Sequence, residues 1–391
     1  MNRTLNLLYS LIFCSLLLVL CLWSLRAVFG FSTASETSVL DGKLALAFEK
    51  HYDAEFPVKQ LGTNLWALAG YRLFGEGRQG VIIGQDGWLF SDEEFKPASK
   101  PDQLQDNWRL VNAVRAELER RGVTLVLALL PAKARLYPEH LDDELPALAQ
   151  QRLYPKVLDM MRQAGLDGPN LLPALQLAKA QGPVFLRTDS HWTPFGAEVA
   201  ARSLAEHLAR QGIWQHGDQT FVTEAVASRE HKGDLLSFLP LEPYFADLQP
   251  PAERLRPRLT RAAEGQEASA EDELFVDALP SIALVGTSYS ANPDWNFAGA
   301  LKQALGSDLV NYAEEGKGPL VPMLNLLQQG DKELAGLRLV IWEFPERYLM
   351  LPSDLSGFDA AWLARLHNGE EPVSRALRTA TSTSTEPILQ F

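Results

Sequence analysis

Three residues in this chain have the chemistry of an acyl-transfer site. Residues 187–197 read "RTDSHWTPFGA", which sets Asp189 and His191 two positions apart, just before a helix-start signal at Thr193-Pro194. A carboxylate can fix the tautomer of a neighbouring imidazole and stabilise the imidazolium that forms when it takes a proton. Such a pair matters only if the chain also supplies a nucleophile. The candidate is Ser288 in "ALVGTS", where an apolar strand ends at Gly286 and the serine falls in the loop beyond. A serine hydroxyl is a weak nucleophile alone and needs a base within hydrogen-bond reach. His191 is the expected base and Asp189 its orienting acid. Each segment is unremarkable by itself: a strand-end serine is usually a turn residue, and an Asp-x-His pair is usually structural. Together, each following a buried strand, they point to one site.

The elements that must carry these residues follow from patterning. "GVIIGQDGWLFS" (80–91) reads as a hairpin turning at Gln85-Asp86-Gly87. A helix is expected from about Asp102 to Arg121, with Leu104, Trp108, Val111, Val114 and Leu118 on one face and Gly122 ending it. "VTLVLALLP" (123–131) is a continuous apolar run, the signature of a strand covered on both faces. Further helices are expected around Tyr154 to Ala164 and from Pro194 to about Arg210. Between them, "PVFLR" reads as a short strand delivering Asp189 and His191 on one side. Residues 249–272 read as a surface excursion. A second series then runs through "SIALVGTSYS", a helix from Asp294 to Leu305, the strand and glycine loop "DLVNYAEEGKGP", a helix from Met323 to Gln329, and "LRLVIWEFPERY". Alternation of this kind predicts an α/β fold with a parallel sheet flanked by helices, its site on the rim where the strands end.

Composition narrows the function. The chain has 391 residues, 46% hydrophobic and 22% charged, with a formal net charge of −13. No block of basic residues occurs, which argues against nucleic acid as a partner and against tight capture of a polyanion outside a local basic groove. The remaining histidines, His51, His140, His207, His216, His231 and His367, have no metal-ligand spacing. No phosphate-binding glycine motif is present, so neither metal nor cofactor is expected. Leu5 to Leu25 is long and apolar enough to span a bilayer, flanked by Arg3 and Arg26. We expect an uncleaved signal-anchor with the body on the periplasmic side of an inner membrane. The alternative is a periplasmic protein released by cleavage near Ser32 and Ala34. Cys14 and Cys21 both lie in the apolar run, leaving the body without thiols. The expected organisation is an anchor at 1–31, a connector and short helix at 32–75, a catalytic domain at 76–375 and a polar tail at 376–391.

The motifs "IIGQDGWLF", "LLPAKARLYPE", "RTDSHWTPFGA", "KGDLLSFLPL", "LVGTSYS" and "WEFPERY" resemble those of the alginate O-acetylation proteins, the AlgJ/AlgX family, whose core is an SGNH-hydrolase-like domain. The N-terminal anchor, with no sugar-binding domain at the other end, is nearer the J-type pattern. The resemblance implies a circularly permuted catalytic order. Ordinary SGNH hydrolases run Ser, Gly, Asn, then Asp-x-x-His, whereas here Asp189 and His191 precede Ser288. It also implies an oxyanion hole. "VNYAEEGKG" stands where the glycine block belongs, with Gly316 or Gly318 as donor, but "WEFPER" has no asparagine. Backbone N–H groups, helped by Arg347 or Tyr348, would have to serve, since losing one such donor costs ~100-fold or more in rate. Lys133 and Tyr289 are further rim candidates, equally well explained as structural. Glu343 and Glu346 are read as holding Arg347 in a salt-bridged loop.

What the resemblance implies is an O-acetyltransferase forming an acetyl-serine. The donor would be a membrane-bound O-acyltransferase among the alginate acetylation and export proteins, and the acceptor alginate or a partner protein. A carbohydrate acetylesterase with the same triad, or a non-catalytic scaffold of the export complex, are the alternatives.

Overall fold

The computed structural model describes residues 3–32, 41–141, 148–263, 280–330 and 334–368. The expected polar tail and the end of the excursion after residue 263 lie outside them. The chain divides into two compact units, residues 1–78 with 237–251 and residues 79–236 with 252–391.

The first unit is helical. Arg3–Gly30 forms one helix, of which Leu5–Gly30 is long and apolar enough to cross a membrane, with large side chains such as Leu8, Phe13 and Leu18 exposed. Where a connector and one short helix are expected, two helices occur, Lys43–Glu55 and Pro57–Ala69. His51 meets the Ala27 carbonyl at 3.1 Å. Asn64, fully buried, donates to the Pro240 carbonyl, and Gln60 to that of Glu242, so the later segment is fastened to the Pro57–Ala69 helix by side-chain amides.

The second unit carries the sheet. It opens with the antiparallel hairpin β1 (Val81–Ile83) and β2 (Leu89–Ser91), turning at Gln85–Gly87 as expected. β3 (Thr124–Leu130) follows the Gln103–Arg120 helix. Two short antiparallel pairs form next: β4 (Phe221–Ala225) with β7 (Arg258–Ala262), and β5 (Arg229–His231) with β6 (Glu253–Leu255). The stretch after Gln249 is therefore not a bare excursion. Alternating intermediate and exposed side chains in β7 let it pair with β4 without the long apolar runs that mark core strands. β8 (Ile282–Val285), β9 (Val310–Asn311) and β10 (Leu339–Pro345) complete a parallel sheet in the order β3-β10-β8-β9.

Every residue of β8 and β10 is buried. Alternation then divides them between two cores. Leu339 and Ile341 join Val126, Ala128, Leu130, Ile282 and Leu284 on one face, with Ala197, Ala201 and Leu204 from the Pro194–Gln211 helix. Val340, Trp342 and Phe344 join Leu125, Leu127 and Leu129 on the other, with Trp108, Val111 and Val114 from the Gln103–Arg120 helix. Apolar side chains on both sides oblige helices to cover both, which leaves only the strand ends open for polar chemistry.

Candidate active site

Ser288 stands just past β8, as the first residue of the one-turn helix Ser288–Ala291. The loop is held from the neighbouring strand. The buried Glu343 of β10 accepts the Thr287 N–H at 2.7 Å, the Thr287 hydroxyl at 3.0 Å and the Ser290 hydroxyl at 3.1 Å. Burial pushes the Glu343 carboxyl up, against these hydrogen bonds. Gly286 makes this possible: a Cβ there would lie 2.4 Å from Glu343 Oε2 and 2.9 Å from its Cβ. The Ser288 N–H has no acceptor among the described residues.

Asp189 and His191 come from a tight loop rather than from a strand of the sheet. "PVFLR" contributes only one bridge, Phe185 to Trp192, and the Leu186 N–H donates to the His191 carbonyl at 3.1 Å. The chain doubles back on itself because Thr193 caps the Pro194–Gln211 helix immediately afterwards. Its hydroxyl accepts the Gly196 N–H at 3.0 Å and donates to the Pro183 carbonyl at 2.7 Å. Glu253 of β6 accepts the N–H groups of Arg187 and Thr188, both at 2.7 Å. From below, the buried Lys133 ammonium donates to the carbonyls of Leu89, Arg187 and Asp189, tying the loop to the hairpin. Burial lowers the Lys133 pKa to about 8.

The two segments meet in one chain of hydrogen bonds. His191 Nε2 lies 2.7 Å from Ser288 Oγ and His191 Nδ1 lies 2.6 Å from Asp189 Oδ1. Asp189 Oδ1 also accepts the His191 N–H at 2.9 Å, while Oδ2 faces His231 Nε2 at 2.8 Å and the Asp234 N–H at 3.2 Å. Burial alone would raise the Asp189 pKa. The hydrogen bonds from His191 and His231 outweigh it and hold the carboxyl well below the usual range. The His191 ring stacks on Trp295, with centroids 5.2 Å apart, and leans on Tyr289. Tyr289 reaches back to donate to the Ser190 carbonyl and to accept from Trp192 Nε1 through its own carbonyl at 3.2 Å. Asp189, His191 and Asp234 also bring ligand-type atoms within 4.8 Å of one another. With Nδ1 turned to Asp189 and Nε2 to Ser288, a metal bond at either nitrogen would displace one of those two contacts.

The other expected residues are placed differently. Arg347 is not held by Glu343 or Glu346. Its Nε donates to Glu93 at 3.0 Å and its Nη1 to the Tyr289 hydroxyl at 3.3 Å, with the guanidinium over the Tyr289 and Tyr348 rings. Glu346 instead takes Arg135 through both oxygens at 2.9 Å and the Ala132 N–H at 2.7 Å. Arg347 and Tyr289 thus brace the nucleophile loop from behind. Gly318, in the left-handed conformation at φ 65°, lies against the Tyr348 ring, where a Cβ would sit 3.5 Å away. Gly316 is also left-handed, at φ 69°, with open space beside it. Their loop is tied to β8 through Tyr312 N–H to the Leu284 carbonyl and Glu314 N–H to that of Gly286. Among the described residues, neither Gly316 nor Gly318 hydrogen-bonds to Asp189, His191 or Ser288.

Four residues at the site carry no signal that spacing alone supplies: His231, Asp234, Glu253 and Trp295. Asp234 accepts both the Ser190 N–H at 2.7 Å and the Ser190 hydroxyl at 2.6 Å. The clue in hindsight is "HKGD". Gly233 packs where a Cβ would be 2.1 Å from the Thr188 carbonyl, so the glycine brings the flanking histidine and acid onto the loop.

Comparison with known proteins identifies the family. Residues 81–346 match the family described as ALGX, an SGNH hydrolase-like domain of the acetyltransferase AlgX. The chain is 57% identical to a probable alginate O-acetylase AlgJ of Pseudomonas aeruginosa, over 93% of this chain and 95% of that one. It is 55% identical to the protein of the same description in Azotobacter vinelandii, over 98% and 99%. Among solved structures it is similar to the O-acetyltransferase domain of Pseudomonas putida AlgJ, with a TM-score of 0.68 and 49% identity over 74% of this chain and 100% of that one. With a family match across most of its length and relatives that align from end to end, the chain belongs to the SGNH hydrolase-like acetyltransferase family that includes AlgX and AlgJ.

Proposed function

We propose that this O-acetyltransferase modifies alginate by a two-step transfer through Ser288, with His191 as general base and acid and Asp189 as its orienting carboxylate. The observation that carries this reading is the unbroken run Ser288 Oγ, His191, Asp189, with heavy-atom separations of 2.7 and 2.6 Å. In the first step the Ser288 oxygen bonds to the acetyl carbonyl carbon while its proton passes to His191 Nε2. The donor oxygen then leaves and takes that proton, giving acetyl-Ser288. In the second step His191 takes the proton of an acceptor hydroxyl, whose oxygen attacks the acetyl carbon, and returns it to Ser288 as the ester departs. A positioned base of this kind contributes about 100- to 10,000-fold. The Ser288 N–H supplies one oxyanion donor, and the glycine loop bearing Gly316 and Gly318 supplies a second.

Relatives described as alginate O-acetylases motivate a mannuronate hydroxyl, or a group on a partner protein, as acceptor. The Leu5–Gly30 helix fits an anchor in the inner membrane with the body on its periplasmic side, near a membrane-bound O-acyltransferase that supplies the acetyl group. The test is partitioning. Full-length protein in detergent is given an activated acetyl ester and mannuronate oligomers, and the products are separated. Acetylated oligomer formed by the wild type and absent with Ser288→Ala supports transfer. Free acetate alone, whatever the oligomer concentration, would identify an esterase.

A further inference from the structure

The Asp189 carboxylate serves two histidines, only one of which belongs to the proposed proton path. Its Oδ1 is occupied by His191, through Nδ1 at 2.6 Å and the backbone N–H at 2.9 Å. Its Oδ2 faces His231 Nε2 at 2.8 Å and the Asp234 N–H at 3.2 Å. An ionised carboxylate only accepts, so His231 must present Nε2–H to it. We propose that His231 is a positioning residue for acetyl transfer: it pins the far oxygen of Asp189, so that the near oxygen stays in line with His191 Nδ1. The inference rests on the acetyl-serine reading given above.

The surrounding structure is built around this contact. His231 ends β5 and pairs in register with Glu253 of β6. That glutamate holds the N–H groups of Arg187 and Thr188, two residues and one residue before Asp189. One short strand pair therefore grips the loop twice, once through the backbone and once through the aspartate side chain. Trp295 completes the arrangement. Its indole stacks on the His191 ring at 23° between planes and receives the His231 ring edge-on at 82°, with centroids 5.2 and 5.7 Å apart. Both imidazoles are thus registered against one rigid aromatic plane, with Asp189 between their nitrogens. A carboxylate held at one oxygen alone can turn about its Cβ–Cγ bond and swap acceptors. Hydrogen bonds at both oxygens remove that freedom, and charge-assisted bonds are the strong ones.

Asp189 faces His231 from the loop side, with the Asp234 N–H on the same carboxylate oxygen. Glu253 lies across on β6, and Asp294 lies on the Pro293–Trp295 turn, where it is paired with Arg229. Lys133 approaches from behind the Asp189 carbonyl, and Lys232 follows in sequence. The hydrogen bond to Asp189, with Glu253 and Asp294 adding to it, raises the His231 pKa against its burial. His231 therefore draws on the same negative charge that supports His191.

The experiment compares full-length wild type, Ser288→Ala, His231→Ala and His231→Gln in detergent on a small acetyl ester. Rates are measured across pH and thermal midpoints alongside. Glutamine places a non-titrating amide donor close to where Nε2 stands. We expect His231→Ala to lower kcat about 10- to 100-fold, the range for losing a hydrogen bond to a charged group, with KM little changed. His231→Gln should recover much of kcat. Wild-type kcat in His231→Ala overturns the proposal. So does a loss that glutamine does not recover and that follows a falling thermal midpoint, because His231 would then serve packing alone. Activity surviving in Ser288→Ala would instead sink the acetyl-serine reading, so the two failures are distinguishable.

Discussion

His191 touches Ser288 on one ring nitrogen and Asp189 on the other, so a change at any of the three residues interrupts the same hydrogen-bonded run. Residues acting as a unit lose function non-additively. Asp189→Ala and His191→Ala should each remove most activity, and the double variant should be little slower than His191→Ala alone. Losses that simply multiply, measured as kcat/KM on a small ester, would mean that the two act separately. Asp189 also makes a stability prediction. Its folded-state carboxyl is held below the unfolded value of about 3.9. The group's contribution is therefore fully present above that pH and is lost as pH falls below about 4. Thermal melts of wild type and Asp189→Asn should converge as the pH is lowered through this window, and a constant gap would contradict the assignment. These three residues are legible in sequence because each follows an apolar strand-like run. His231 and Asp234 are not, since they sit in the charged stretch "REHKGD" and only the fold brings them to Asp189 and Ser190.

At the scale of elements, two strand ends and one loop have to be aligned. The apolar runs of β3, β8 and β10 announce themselves because burial on both faces leaves few polar positions, Glu343 being the exception within β10. The Thr193-Pro194 helix start is equally plain, since a capping hydroxyl and a proline at the first helical position are local chemistry. "PVFLR" misleads for a physical reason. Its β-prone residues are buried in the core that the Pro194–Gln211 helix and Trp192 share with the sheet, but they pair only through the Phe185–Trp192 bridge, so apolar character survives without a ladder. The β5–β6 pair is hidden because its residues are mostly charged. Alignment at the nucleophile depends on Gly286 beneath Glu343. Gly286→Ala would press a methyl group onto a carboxylate already fixed by Thr287 and Ser290. The cost should be about 1–3 kcal/mol of stability, typical of overpacking, with a larger proportional loss of kcat because the Thr287–Ser290 turn must shift. Unchanged melting and kcat would show that Glu343 does not position the loop.

For the whole molecule, the Leu5–Gly30 helix is long and apolar enough to cross a membrane, and an anchor there would set where the chemistry takes place. Full-length protein should fractionate with membranes. Deletion up to about residue 35 should release a cysteine-free body that still turns over small esters. Acetylation of polymer in cells should fall on deletion, because tethering raises the effective concentration of the body near a membrane partner. Fractionation with sequencing of the mature N-terminus decides it. A first residue of Ser35, with the protein soluble in the periplasm, would mean a cleaved leader and no anchor.

The central claim, a covalent acetyl group passing through Ser288, is tested most directly by mass spectrometry of the full-length protein after brief exposure to an activated acetyl ester. The account predicts a mass increase of one acetyl group on the peptide containing "GTSYS", absent in Ser288→Ala and accumulating when acceptor is withheld. Acetylation that persists in Ser288→Ala, or that maps to another peptide, would contradict it.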